Sequence, residues 1–101
     1  MILQVVSVKD AVTGVYSQPS FVLTTSQAVR SFQDMCEDTN SNLHKHPADY
    51  ELMHIGTFDD ELGVLTPLTA EVNGVTAYSP RSIARAIDCV SVTPVQPVTT
   101  K

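Results

Sequence analysis

The chain has no tryptophan, two cysteines and four glycines in 101 residues. Two cysteines are too few for the disulfide framework that stabilises small secreted domains. They stand far apart at Cys36 and Cys89, so the close cysteine pairing of a zinc ribbon is missing as well. None of the glycines sits in a phosphate-cradling run, and no nucleophile-elbow motif is present. Basic residues are scarce. Six Lys and Arg face eleven Asp and Glu, for a formal net charge of −5. That balance argues against a general nucleic-acid coat, which needs a basic face to displace counterions from phosphates. It leaves room for a small local cluster, or for a basic path assembled from several copies. No apolar run approaches the roughly 20 residues that span a bilayer. Residues 1–6 carry neither a basic leader nor a small-residue cleavage site. The expectation is no membrane role and use in a cytoplasm.

What is present suits one domain with a modest core, at 43% hydrophobic residues. Residues 2–8 are short and rich in β-branched side chains, which predicts a strand. Residues 9–14 are polar and end in Gly14, which is turn chemistry. Residues 15–22 are a second extended stretch. Pro19 cannot donate to a ladder, so this is an edge strand or one broken at Pro19. The two stretches are expected to pair as an antiparallel hairpin.

The clearest signal follows. Ala28, Val29, Phe32, Met35 and Cys36 recur with helical spacing on one face, and polar residues fill the other. Thr24 is the expected N-cap, with Gln27 completing a capping box. Cys36, on the apolar face, reads as a buried reduced thiol. Pro47 stops any turn at His46. Residues 50–58 and 64–66 predict a third and fourth strand joined by an acidic turn, Asp59-Asp60-Glu61, whose Asp side chains bond their own backbone. Asn73-Gly74 marks a small extra hairpin. Ser79-Pro80 is a good helix start, with Ile83, Ala84 and Ile87 as a short apolar stripe and Arg81 and Arg85 opposite it.

Two stretches together resemble a known family: residues 26–32 (SQAVRSF) and 45–60 (KHPADYELMHIGTFDD). With an extended opening segment, they are similar to the small nonstructural protein of gokushoviruses, the Microviridae that infect bacteria. The resemblance covers about residues 1–67. It implies a DNA-binding protein that helps switch genome replication from double-stranded intermediates to single-stranded progeny for packaging. It also implies work in the host bacterial cytoplasm.

The constellations that carry chemistry are sparse. His44, His46 and His54 do not complete the three or four ligands zinc needs. No nucleophile is placed beside a base and an orienting group. Neither a cofactor nor catalysis is expected. The candidate nucleic-acid contacts are Arg30 on the polar helix face, Lys45 before the third strand, and Arg81 with Arg85, which on a helix would reach one phosphate stripe. Tyr50, with Tyr16, Phe21, Phe58 and Tyr78, is a candidate for stacking on unpaired bases.

The expected architecture is α+β: two hairpins in the order strand, strand, helix, strand, strand, forming a small antiparallel sheet on one amphipathic helix. A short C-terminal helix and a tail follow. Residues 1–88 form the single domain, and 89–101 an extended or disordered Pro/Thr/Val-rich tail. The free sheet face, to which Val22, Leu52, Val64 and Leu65 would contribute, suggests a homodimer. The expected partners are single-stranded DNA or viral replication and assembly proteins. The alternative is an acidic protein-interaction module that recruits such proteins without touching DNA.

Overall fold

The protein's structure, a computed structural model, describes residues 1–90. Most of the expected tail, residues 91–101, lies outside the described residues. The element order is β1 (Ile2–Asp10), β2 (Val15–Tyr16), β3 (Ser20–Val22), α1 (Thr25–Glu37), α2 (Asn42–Lys45), a 3-10 turn (Pro47–Asp49), β4 (Tyr50–Asp59), β5 (Val64–Pro67), β6 (Thr69–Val72), β7 (Val75–Tyr78), β8 (Arg81–Arg85) and α3 (Ala86–Val90). The class is α+β with antiparallel strands, as expected. Among the described residues the four-strand arrangement is corrected to eight strands in two sheets.

The centre of the larger sheet is β1 paired with β4 along nearly its whole length. Outside β1 lie β2 and β3, pairing with Lys9–Asp10 and Gln4–Val6 respectively. They are the two halves of one stretch, interrupted around Pro19 because its nitrogen has no hydrogen to donate. Outside β4 lie β5, against Gly56–Asp59, and β8, against Glu51–His54. Gly56 is required here. A Cβ at this position would stand 2.5 Å from the Thr66 carbonyl oxygen.

Helix α1 covers one face of this sheet. Thr24 caps it, its hydroxyl accepting from the Gln27 N–H at 3.2 Å. The Gln27 side chain accepts in return from the Leu23 N–H at 3.2 Å, one residue before the cap. Ala28, Phe32 and Cys36 are buried and form the core with Val6, Leu52 and Ala86. Val29 packs against that core, whereas Met35 stays 42% exposed at the edge of the stripe. Val22 and Leu52 therefore belong to the covered face, not to the free one; of the four residues expected there, Val64 and Leu65 are the exposed pair. On the uncovered face the Phe21 and Phe58 rings meet edge-on at 5.4 Å.

The largest correction concerns residues 81–85. They form a strand, not a helix, and the short C-terminal helix begins at Ala86. Cys89 and Val90 belong to that helix rather than to a tail. Cys89 packs on the core beside Cys36. Burial, reinforced by Cys89, pushes the Cys36 thiol up to about 12.

The Asn73-Gly74 turn forms as expected, with both residues at positive φ, 52° and 80°. It joins β6 and β7 into a separate two-stranded sheet. All eight of its strand residues are exposed.

Candidate functional site

The two arginines of β8 occupy different surroundings. In the register with β4, Arg81 stands opposite His54 and Ser82 opposite Met53, while Ala84 stands opposite Leu52 and Arg85 opposite Glu51. Ile83 is the extra residue of a bulge, which reverses the in-out alternation between the two arginines. Arg81 falls on the α1 side of the sheet and Arg85 on the other. The single phosphate stripe expected of a helical pair does not exist.

Arg81 lines a hollow of about 390 Å³ with Gln4, Leu23, Thr24, Thr25, His54 and Ile83. No carboxylate is among these residues. The hollow sits at the N-terminus of α1, whose first turn holds no acidic residue. The N–H groups of Thr25 and Ser26 have no acceptor inside a helix that starts at Thr25. His54 is 7% exposed, and both of its ring nitrogens are shut off from solvent. Burial lowers the imidazole pKa below its ordinary value; the Gly56 backbone opposes that, and Arg81 adds to it.

Arg85 lines a hollow of about 380 Å³ with Ala11, Ala48, Asp49, Tyr50 and Glu51. Two carboxylates share it. Glu51 accepts a hydrogen bond from the Ser82 hydroxyl at 2.6 Å. Two expected site residues, Tyr50 and Arg85, are thus brought together, but in acidic company. Arg30 on α1 and Lys45 on α2 are exposed and line neither hollow.

Among the described residues, the ion pairs within 4.0 Å join the Met1 amine to Asp60 and Glu61. None engages a Lys or Arg side chain. Lys9 lies 5.9 Å from the Tyr16 ring centroid, a cation–π contact. Within the acidic turn the Asp59 carboxylate accepts from the N–H groups of Glu61 and Leu62 at 2.9 and 3.2 Å. His44 Nδ1 lies 2.9 Å from the Cys36 carbonyl oxygen, which ties α2 to the end of α1. Among the described residues no group of three His, Cys, Asp or Glu side chains is placed to hold a metal. No described helix is long and apolar enough to cross a membrane.

Sequence reasoning missed Gln4, Thr25 and His54 as neighbours of Arg81. One signal was available. His54 shares a strand face with Tyr50 and Leu52, and a polar residue on a buried face is the informative exception.

The fold defines a small α+β protein built on an antiparallel sheet. The chain belongs to the phage ORF5 protein family, whose model matches residues 3–89. No curated protein and no solved structure matches it.

Proposed function

We propose that this phage protein is a non-enzymatic nonstructural protein of the gokushovirus type. It binds single-stranded DNA during viral genome replication, or in the switch to single-stranded synthesis and packaging, in the host cytoplasm. Family membership supports the phage context. The observation that carries DNA binding is the state of the cations. In a chain with eleven acidic residues, none of the described Lys or Arg side chains is held in an ion pair. Arg30, Lys45 and Arg81 are exposed, whereas Lys9 sits on the Tyr16 ring and Arg85 has Asp49 and Glu51 beside it. Arg81 meets phosphate from a carboxylate-free hollow, and Tyr50 beside Arg85 offers an aromatic ring to a base. The action is stoichiometric, by occupancy of the strand.

The test is a titration of a fluorescent oligo-dT at increasing salt. Binding should weaken with a log–log slope of about −0.7 for each phosphate neutralised. A flat slope, or no binding at low salt, removes the proposal.

A second reading is favoured by the β6–β7 hairpin. An isolated two-stranded hairpin is marginal in water. This one exposes Val72, Val75 and Tyr78, close in sequence to exposed Leu62, Val64 and Leu65 of the preceding hairpin. Such a surface suits a protein partner, either a second copy of the chain or a replication or assembly protein. Capture of a defined phage protein that survives nuclease treatment, without oligo-dT binding, would select this reading.

A further inference from the structure

We propose that two copies of this chain pair through the outer edge of β7, antiparallel about a two-fold axis at Ala77, and so join their β6–β7 hairpins into one four-stranded sheet. The inference rests on the protein-partner reading of this hairpin and names the partner as a second copy.

The hairpin's own geometry decides which backbone groups are already taken. Asn73 and Gly74, both at positive φ, make a two-residue turn, so Val72 and Val75 close the ladder as a hydrogen-bonded pair. Antiparallel pairs alternate between bonded and non-bonded. Ala70 with Ala77 is therefore bonded, whereas Glu71 with Thr76 and Thr69 with Tyr78 are not. One step further the alternation reaches Leu68 and Ser79, and there the Ser79 N–H donates to the Leu68 carbonyl at 2.8 Å. The N–H and C=O groups of Thr76 and Tyr78 thus point away from β6, along an outer edge. Among the described residues β7 pairs with β6 alone. A row of free backbone groups on an exposed strand is a template for another strand.

Charge selects both the edge and the partner. Edge strands are ordinarily guarded by a charged side chain, a proline or a bulge. β7 has none of these: Val75, Thr76, Ala77 and Tyr78 are neutral, and their register with β6 is unbroken. From Val64 to Ser79 the sole charged residue is Glu71. In a chain of net charge −5, two identical copies can meet here without setting carboxylates against each other. Pairing β6 with β6 would bring the two Glu71 residues opposite or diagonal to one another, within about 8 Å. Pairing β7 with β7 leaves them on the outer strands.

The free groups also set the register. Only residues that point outward can exchange hydrogen bonds, so Thr76 and Tyr78 of one copy must meet Thr76 and Tyr78 of the other. An axis at Ala77 sets Thr76 against Tyr78 on both sides and uses every free group of the two residues. Ala77 then faces its own copy in a non-bonded pair, where Cα atoms approach to about 4.5 Å and a small side chain fits. Thr76 against Tyr78 is a β-branched and aromatic cross-strand pair. The contact is isologous and closes at two copies. It gives a hairpin that is marginal alone, with every strand residue exposed, its third and fourth strands.

The test is sedimentation of the full chain over a concentration series, with amide hydrogen exchange read by NMR. The mass should rise from 11.0 kDa to twice that and stop. Exchange at Thr76 and Tyr78 should slow by roughly tenfold or more as the dimer fills, while Val75 and Ala77, bonded to β6 in either state, are the internal control. Thr76→Pro removes an outward donor and keeps the bonds to β6, so it should hold the chain at 11.0 kDa with Val75 and Ala77 still protected. If Thr76→Pro loosens the hairpin, Ala77→Cys decides. Glutathione disulfide should oxidise the two facing thiols to a disulfide across the axis, being itself reduced to two thiols, because the Cα spacing of a non-bonded pair suits that bond. Val75→Cys, on the same face but opposite Ser79 of the other copy, should stay unlinked. A single chain mass at all concentrations, a dimer whose Thr76 and Tyr78 amides exchange freely, or growth beyond two copies overturns the proposal. A monomeric chain that retains a defined phage protein after nuclease treatment, and loses it in Thr76→Pro, overturns self-pairing and keeps the protein-partner reading. A dimer with protected Thr76 and Tyr78 that captures no phage protein supports self-pairing and removes the recruitment of other proteins.

Discussion

Arg81 and Arg85 open and close the same five-residue strand, yet they meet opposite electrostatic surroundings. Arg81 faces a helix N-terminus and a neutral, buried imidazole with no carboxylate in its hollow. Arg85 shares its hollow with Asp49 and Glu51. The difference comes from one residue, Ile83, whose bulge turns the strand between them. The lesson concerns charge counting. A net charge of −5 describes the field far from the molecule, whereas a phosphate at the surface meets the groups within a Debye length of about 10 Å. An acidic protein can hold a locally cationic hollow if its carboxylates are grouped elsewhere, as the Asp59–Glu61 turn groups three of them here.

The comparison can be broken outright by removing the support that both hollows share. Phe32 is fully buried between α1 and the sheet. Phe32→Ala should cost about 3–5 kcal/mol, read by urea denaturation, and abolish ligand binding at either hollow. A narrower change should damage only one of them. Thr24→Ala deletes the α1 cap and should cost about 1 kcal/mol. It should also loosen the Arg81 hollow, lowering oligo-dT affinity, and leave the amide resonances around Arg85 in place.

Acid should act on the Arg81 side. The folded-state pKa of His54 is lowered from 6.5, chiefly by burial. Below that value the unfolded chain binds more protons at this position than the folded one, so stability falls as pH drops through and below 6.5. Urea midpoints at about pH 7.5 and about pH 5.5 should differ, and His54→Gln should shrink that difference. The smallest effect belongs to the other hollow. Glu51→Gln removes one of the two carboxylates beside Arg85 and should raise oligo-dT affinity by only about twofold, since exposed charge pairs contribute under about 1 kcal/mol.

The elements legible in the sequence are those whose cause is local. Thr24 and Gln27 announce the start of α1 because their side chains satisfy N–H groups three and four residues away. The Asn73-Gly74 and Asp59 turns are read from the backbone geometry those residues tolerate or bond. The break at Pro19 follows from a missing donor. Residues 81–85 depart from the helical expectation for the opposite reason. Ser79-Pro80 is a sound helix start, and Ile83, Ala84 and Ile87 have helical spacing, but β4 offers an open edge along Glu51–His54, and pairing with it overrides the local preference. Neither bulge of β4's ladders is written in its own residues; each depends on what a distant strand places opposite. The candidate site shares that fate. Arg81 stands out in the sequence by its charge and its four-residue spacing from Arg85, while Gln4, Thr25 and His54 come to it from three separate segments of chain.

The most direct test is a pair of single substitutions read against salt. Oligo-dT affinity is measured for the unaltered chain, Arg81→Gln and Arg85→Gln across a low-to-moderate salt series. If the two hollows differ as described, Arg81→Gln weakens binding roughly tenfold and makes the log–log slope shallower by about 0.7, while Arg85→Gln changes affinity by no more than about twofold. Equal losses from the two variants, or a larger loss from Arg85→Gln, would contradict the account.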